Sequence, residues 1–268
     1  MGDVLIVTGA SRGIGRATAL QAGAAGYHVV VNYVANAAAA EAVVDAIVRA
    51  GGKATAVQGD VGQEADVLAL FAAADALGPL AGLVNNAGIV DQSARLVDIS
   101  AERITRIMNA NVVGSLLCAR EAVKRMSTQR GGKGGVIVNV SSRAGVSGYH
   151  AVAYGTSKWA VRGLSRTASM ELGRLGIRVN TLLPGYIDTP MSSTAPDWFR
   201  EASLEEIPLG RLGTVDDIAP LMVFLMSDES SYISGAEFHV DGGEYGHAGV
   251  KRYSDLARSG GLNKGQGS

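Results

Sequence analysis

The chain has 268 residues, 47% of them hydrophobic and 18% charged, with a formal net charge of −1. That balance excludes a global electrostatic attraction to nucleic acid or to an anionic membrane, and the composition is neither disordered nor fibrous. The length suits one large α/β domain with a substantial core. The single cysteine, Cys118, cannot form a disulfide within the chain, and in the apolar stretch Ser115–Ala119 it reads as a packing residue of a reducing, cytoplasmic compartment. The first strand begins close to Met1, so no signal peptide is expected. The most apolar long stretch, Val67–Val84, contains Asp75, Gly78 and Pro79 and reads as helix, turn and strand, not as a membrane span.

In chain order, Val4–Thr8 is an apolar run of strand length. It enters Gly9-Ala10-Ser11-Arg12-Gly13-Ile14-Gly15 and then the Ala-rich, helix-forming stretch Arg16–Ala25. Glycines between strand and helix allow a tight turn and close approach of the backbone to a ligand. The free N–H groups that open the helix suit a pyrophosphate. The spacing is Gly-x-x-x-Gly-x-Gly, which departs from the commoner Gly-x-Gly-x-x-Gly fingerprint. The same string also fits Gly-x-Ser-x-Gly, a hydrolase nucleophile elbow with Ser11 as nucleophile, Asp60 or Asp188 as acid and His239 as base. An elbow on the first strand, however, lacks the preceding sheet that normally carries it.

The alternation continues with strand Val29–Tyr33, helix Ala38–Arg49, strand Lys53–Gln58 and helix Ala65–Ala76. Strand Gly82–Asn86 runs into Asn86-Ala87-Gly88, a helix spans Glu102–Lys124, and strand Gly135–Val140 leads to Ser141-Ser142. Helix Ala153–Glu171 and strand Arg178–Leu183 follow, the latter ending in Pro184-Gly185-Tyr186-Ile187-Asp188-Thr189-Pro190. Helix Asp216–Met226 and strand Glu237–Val240 complete the pattern. Strands separated by helices predict a parallel sheet covered on both faces, with the small-residue loops gathered at one edge where ligands bind. Two segments interrupt it: a basic Gly-rich loop at Gln129–Gly135, and a polar stretch, Pro190–Leu212, that carries Trp198 and Phe199. The four histidines and the cysteine show no metal-ligand spacing, so no metal is expected.

Tyr154 and Lys158 stand four apart in Tyr154-Gly155-Thr156-Ser157-Lys158, one helical turn apart on one face. An ammonium beside a phenol lowers the phenol's pKa toward neutral proton transfer. Ser142, where a strand gives way to a loop, offers a hydroxyl to the oxygen on which charge changes. Ser141 is the alternative, but Ser142-Arg143-Ala144-Gly145 is the preferred reading.

Together, Thr8-Gly9-x-x-x-Gly13-x-Gly15, Asp60-Val61, Asn85-Asn86-Ala87-Gly88, Asn111, Ser142, Tyr154-x-x-x-Lys158 and Pro184-Gly185 resemble the short-chain dehydrogenase/reductase family from about residue 3 to residue 243. Val31-Asn32-Tyr33 and Val240-Asp241-Gly242-Gly243 are similar to its 3-oxoacyl-carrier-protein reductase and sugar-dehydrogenase-like branch. The resemblance implies a single Rossmann-type doubly wound α/β domain over residues 1–243, with a substrate lid at about 190–212. The segment 244–268 is then an extension, partly flexible, in which Tyr245, His247 and Tyr253 are candidates for packing on a neighbouring subunit.

The implied reaction is NADP(H)-dependent interconversion of a small-molecule carbonyl and an alcohol. Tyr154 would be the general acid, Lys158 would hold the nicotinamide ribose, Ser142 would polarise the carbonyl, and Asn111 would anchor a water relaying protons to Lys158. Cofactor contacts would come from Gly9, Ser11, Arg12, Gly13, Ile14, Gly15, Asn32, Tyr33, Asp60, Val61, Asn86, Ala87, Gly88, Tyr154, Lys158, Pro184, Gly185, Ile187 and Thr189. The second strand ends in Asn32-Tyr33-Val34-Ala35-Asn36 with no carboxylate to repel a 2′-phosphate, and Arg12 supplies positive charge, so NADP(H) is expected ahead of NAD(H). Tyr149 and His150 are further pocket candidates. A homotetramer built through the helices carrying Asn111 and Tyr154 is implied. An acyl-carrier-protein partner would need a basic patch, for which Arg120, Lys124, Arg125, Arg130 and Lys133 are available. A non-catalytic dinucleotide sensor on the same fold is the competing reading.

Overall fold

The computed structural model describes residues 3–91, 94–195, 197–245, 251, 254 and 255. His247, Tyr253 and the Gly-rich tail, part of the expected extension, lie outside the described residues.

β1 (Val4–Val7) is buried throughout, because both faces of a central parallel strand are covered. Leu5 and Val7 join one apolar layer, with Ala19 and Ala22 of α1 (Gly13–Ala24), Val43 and Ile47 of α2 (Ala37–Arg49), and Ile218 and Met222 of α8 (Val215–Met226). Val4 and Ile6 join the opposite layer, with Leu70 and Phe71 of α3 (Glu64–Asp75) and Cys118 and Ala122 of α5 (Gly114–Met126). Cys118 is a packing residue, and burial pushes its thiol up to about 12.

The sheet has seven parallel strands in the order β3-β2-β1-β4-β5-β6-β7. The remaining strands are β2 (His28–Tyr33), β3 (Lys53–Gln58), β4 (Leu80–Asn85), β5 (Gly135–Val140), β6 (Ile177–Pro184) and β7 (Glu237–Val240). The order reverses between β1 and β4, and at such a switch point the loops beyond the carboxyl ends open a ligand crevice. Among the described residues, no helix is long and apolar enough to cross a membrane.

The helix expected over Glu102–Lys124 is interrupted. α4 (Ala101–Met108) and α5 are joined by a π-helical turn, Asn109–Val113, and Asn111 lies buried within it. The stretch Pro190–Leu212 is not irregular throughout, since α7 (Asp197–Glu206) occupies its middle. The Gln129–Gly135 loop is anchored, with Gly134 N–H donating to the Met126 carbonyl at 2.8 Å.

Beneath the crevice a polar ladder ties sheet to helices. Asn85 Nδ2 donates to Ser115 O at 3.1 Å and to Asn139 Oδ1 at 2.8 Å, and Asn139 Nδ2 donates to Ser165 Oγ at 2.9 Å. Asn139 is 1% exposed, so its partners have no water to replace it. Asn139→Leu, of similar volume, is expected to cost roughly 1–3 kcal/mol in urea denaturation. An unchanged midpoint would show that the ladder contributes nothing.

Candidate active site

The loop after β1 is built to bring backbone close to a ligand. Gly13 has φ +57°, and a Cβ there would meet nothing nearer than Thr189 at 3.7 Å. At Gly15 the purpose is packing, because a Cβ would stand 2.5 Å from Asn86 Nδ2 and 2.6 Å from the Gly9 carbonyl. α1 opens without a side-chain cap and without an acidic residue in its first turn, so its N–H groups are left for an anion. Ser11, Ile14 and Gly13 are partly exposed around this opening, and Arg12 is exposed.

Other residues expected at the cofactor brace this loop from behind. Asn86 Nδ2 donates to the Thr8 and Gly9 carbonyls at 2.8 and 3.2 Å, while Thr8 Oγ1 accepts from Asn86 N and Ala87 N, both at 3.0 Å. Asn32 is 1% exposed, and its amide accepts from Gly9 N at 3.2 Å and donates to Val57 O and Gly59 O at 3.3 and 3.0 Å. The Asn32 side chain therefore holds the loop, whereas Tyr33 beside it is partly exposed. Asp60 closes its own turn by accepting from Gly62 N at 2.9 Å, and Val61 is buried. Asn36, the last polar residue of that strand end, caps α2 through Ala39 N at 2.9 Å. The free helix opening, the glycine turn and the absence of a carboxylate at the end of β2 fit a dinucleotide bearing phosphates.

Ser142, Tyr154, Lys158 and Asn111 are brought together at the ends of β5 and α6 (Val152–Leu172) and in the π turn. Lys158 Nζ lies 5.6 Å from the Tyr154 ring centroid, and the Ser142 hydroxyl is near enough to act on the phenol. Lys158 is 5% exposed and donates to Val140 O at 2.9 Å. Here the simple expectation needs correcting, because the ammonium is not what governs the phenol. Burial pushes Tyr154 up to about 12, the Ser142 hydroxyl pulls against it, and the Tyr149 phenol adds to the rise. Burial brings Lys158 down to about 8.

Ser141 is committed elsewhere. It is 3% exposed, and its hydroxyl donates to the Lys158 carbonyl at 2.8 Å. Asn111 accepts from Ile89 N at 2.8 Å and donates to Ile89 O at 3.0 Å and to Ser157 Oγ at 2.9 Å. These bonds shape the loop after β4 and compete with any water relay through its amide. Gly88 passes beside both groups, since a Cβ there would lie 3.2 Å from Asn111 Oδ1 and 3.5 Å from Lys158 Nζ.

Aromatic rings line the way in. Tyr149 lies 5.6 Å from Tyr154 and 4.2 Å from His150, and Phe199 of α7 meets His150 at 5.1 Å, Tyr186 at 5.7 Å and Trp198 at 5.9 Å. Ile187 is buried, Thr189 Oγ1 and Ser192 share a turn, and Pro184 ends β6 with Gly185 next in the chain. Ser11 has no hydrogen bond to a described histidine; His28 faces Thr55 Oγ1 at 3.0 Å and His239 stacks on Tyr245 at 4.1 Å. Among the described residues, no cluster could hold a metal ion. Sequence reasoning missed Glu244, buried against Arg143, because nothing local distinguishes a glutamate after a glycine pair from a solvated one.

The Lys158 shift has a stability consequence. Its folded pKa lies below the unfolded 10.5, so the unfolded state binds more protons between pH 8 and 10.5 and stability rises with pH across that window. Lys158→Met removes the titration. The stability of wild type relative to this variant is therefore expected to increase from pH 8 to 10.5 in denaturant titrations, and a pH-independent difference would contradict the buried ammonium.

Residues 9–244 match the family model described as enoyl-(acyl carrier protein) reductase. The chain is 45% identical over 246 residues to the uncharacterized oxidoreductase YgfF of Escherichia coli, covering 90% of this chain and 99% of that protein. It is 39% identical over 242 residues to the 3-oxoacyl-[acyl-carrier-protein] reductase FabG of Staphylococcus aureus, covering 90% and 97%. A solved Sinorhizobium meliloti structure, assigned as a short-chain alcohol dehydrogenase, superposes with a TM-score of 0.84 at 34% identity, covering 91% of this chain and 96% of that one. With this fold and these relatives, the chain belongs to the short-chain dehydrogenase/reductase family of oxidoreductases.

Proposed function

We propose that the protein is an NADP(H)-dependent carbonyl reductase and alcohol dehydrogenase in which Tyr154 is the general acid and base. The observation that carries this reading is the buried Lys158 ammonium, which donates to Val140 O at 2.9 Å and lies 5.6 Å from the Tyr154 ring centroid. When bound, the nicotinamide supplies or accepts the hydride. Tyr154 donates its proton to the substrate oxygen in reduction, and its high pKa keeps that proton in place until an acceptor arrives. Ser142 donates to the same oxygen, a contact of a kind worth roughly 2.7–4 kcal/mol in the transition state. Lys158 holds a positive charge beside the phenol ring and within reach of the Gly88 backbone, where ribose hydroxyls would lie. Asn111 fixes the Gly88–Ile89 loop and, through Ser157, the helix turn that carries Tyr154.

Preference for NADP(H) is supported by Arg12, which is exposed and makes no ion pair among the described residues, next to a β2 end without a carboxylate. For the substrate, the aromatic rings of Tyr149, His150, Tyr186 and Phe199 favour a carbonyl compound with an apolar substituent. An acyl-carrier-protein thioester, the substrate in the name of the Staphylococcus aureus relative, is less well supported. Three of the five basic groups expected to dock that acidic carrier are already paired: Arg120 with Glu64 and Glu121, Lys124 with Glu121, and Arg125 with Asp75 and Glu121. Assembly through α4, α5 and α6 into a homotetramer is supported by the exposed apolar side chains of Ile104, Leu116 and Trp159.

Tyr154→Phe is expected to abolish turnover of ketones, followed by nicotinamide absorbance, while NADPH still binds; retained turnover would reject the acid. Ser142→Ala should lower kcat by about 10²–10³-fold, whereas Ser141→Ala keeps most of it, and the reverse order would reassign the hydroxyl. Arg12→Gln is expected to weaken NADPH binding and leave NADH binding unchanged. Equal effects on the two dinucleotides would remove the argument for NADP(H).

A further inference from the structure

Beyond β7 the chain turns through Asp241-Gly242-Gly243-Glu244. Glu244 is 4% exposed and forms an ion pair with Arg143, while its other oxygen, Oε2, is buried without a hydrogen-bond partner. Burial and the like charges of Asp241 and Glu206 push its carboxyl pKa up against the pull of Arg143. A buried pair of this kind, half-satisfied and flanked by carboxylates, is a poor source of stability. Its value lies in what it holds.

Arg143 follows Ser142 directly and begins a single 3₁₀ turn, Arg143–Gly145, inside which Ser142 Oγ accepts from Ala144 N at 3.1 Å. The far end of this turn is gripped by Arg162, whose Nη1 donates to Gly145 O at 2.6 Å and whose Nη2 is held by Glu237 at 2.8 Å. Glu244 grips the near end. The 241–244 turn also meets the loop after β6, where Gly185 N donates to Val240 O at 3.0 Å and a Cβ on Gly185 would stand 3.3 Å from Glu244 Oε2. It meets the segment beyond α7 as well, through Leu209 N donating to Gly242 O at 3.2 Å.

We propose that Glu244, acting through Arg143, is a positioning residue that fixes Ser142 against Tyr154, and that the 241–244 turn ties this geometry to the 207–210 end of the lid segment. The inference rests on the reading of Ser142 as the hydroxyl that meets the substrate oxygen. Neither Glu244 nor Arg143 touches the reacting atoms in it. A hydroxyl displaced by an ångström loses transition-state stabilisation while binding elsewhere is untouched.

The test is a double-mutant cycle with Glu244→Gln, Arg143→Met and the double variant, assayed with NADPH and a ketone that wild type reduces. Each single variant and the double are expected to lower kcat by about ten- to a hundredfold, by similar amounts, with KM for the ketone and Kd for NADPH within about threefold of wild type. If a single variant fails to fold, the double, which strands neither charge, carries the test. The proposal is overturned if kcat stays within about twofold of wild type, if KM rises while kcat holds, or if the two effects multiply in the double. Ser142→Ala in the same assay separates the two readings. Retained turnover there would overturn the role of Ser142, and lost turnover beside unaffected Glu244 and Arg143 variants would overturn this inference alone.

Discussion

A lysine ammonium buried at the end of β5 is the constraint around which the catalytic edge is arranged. Lys158 is 5% exposed, and its ammonium donates to the Val140 carbonyl at 2.9 Å. An ammonium in such surroundings is tolerable when its protons are directed and its neighbours cannot crowd it. The surrounding residues meet both conditions. Ser141 clamps the Lys158 backbone through its carbonyl, and Gly145 lies so close to that carbonyl that a Cβ would stand 2.8 Å away. Gly88 passes on the other side, and the Asn111 amide keeps that loop in place. The two serines after β5 thus divide the work, Ser141 holding the helix and Ser142 left for Tyr154.

The π-helical turn at Asn109–Val113 belongs to the same arrangement. One extra residue in a helical turn redirects side chains and leaves α4 and α5 on slightly different phases. The turn carries Asn111 inward, where its amide bridges the loop after β4 and Ser157 of α6, and Ser115 Oγ donates back to the Asn111 carbonyl at 2.9 Å. A regular helix would turn the asparagine elsewhere, and the loop that passes Lys158 would lose its anchor.

The alternation of apolar runs and helical stretches made the parallel sheet legible, since β1 is apolar at every position and strands alternate with helix-forming stretches. The glycine loop, Ser142, Tyr154 and Lys158 were legible as a set because their spacing is tied to strand ends and one helix turn. Features set by long-range contact were not. The π turn has no local signature in Asn109-Ala110-Asn111-Val112-Val113, and α7 hides in a polar segment whose apolar residues are few. Asn32 reads as a ligand contact from its place at the end of β2, yet three backbone groups from β1, β3 and their loops claim its amide. The Arg143–Glu244 pair joins residues 101 apart, and neither end is marked in sequence.

The electrostatics of Tyr154 and Lys158 follow from burial more than from mutual attraction. A phenol held up at about 12 and an ammonium brought down to about 8 are both protonated at neutral pH. In the proposed mechanism this is a proton to give, which suits reduction of a carbonyl. On the same proposal, oxidation would require the phenol to lose that proton, and Ser142 is what pulls its pKa down in the chain itself. Any further help must come from positive charge brought beside it. In the proposed mechanism, whatever fixes Ser142 acts on both directions: it would aim a donor at the substrate oxygen, and it would set how readily Tyr154 becomes a base.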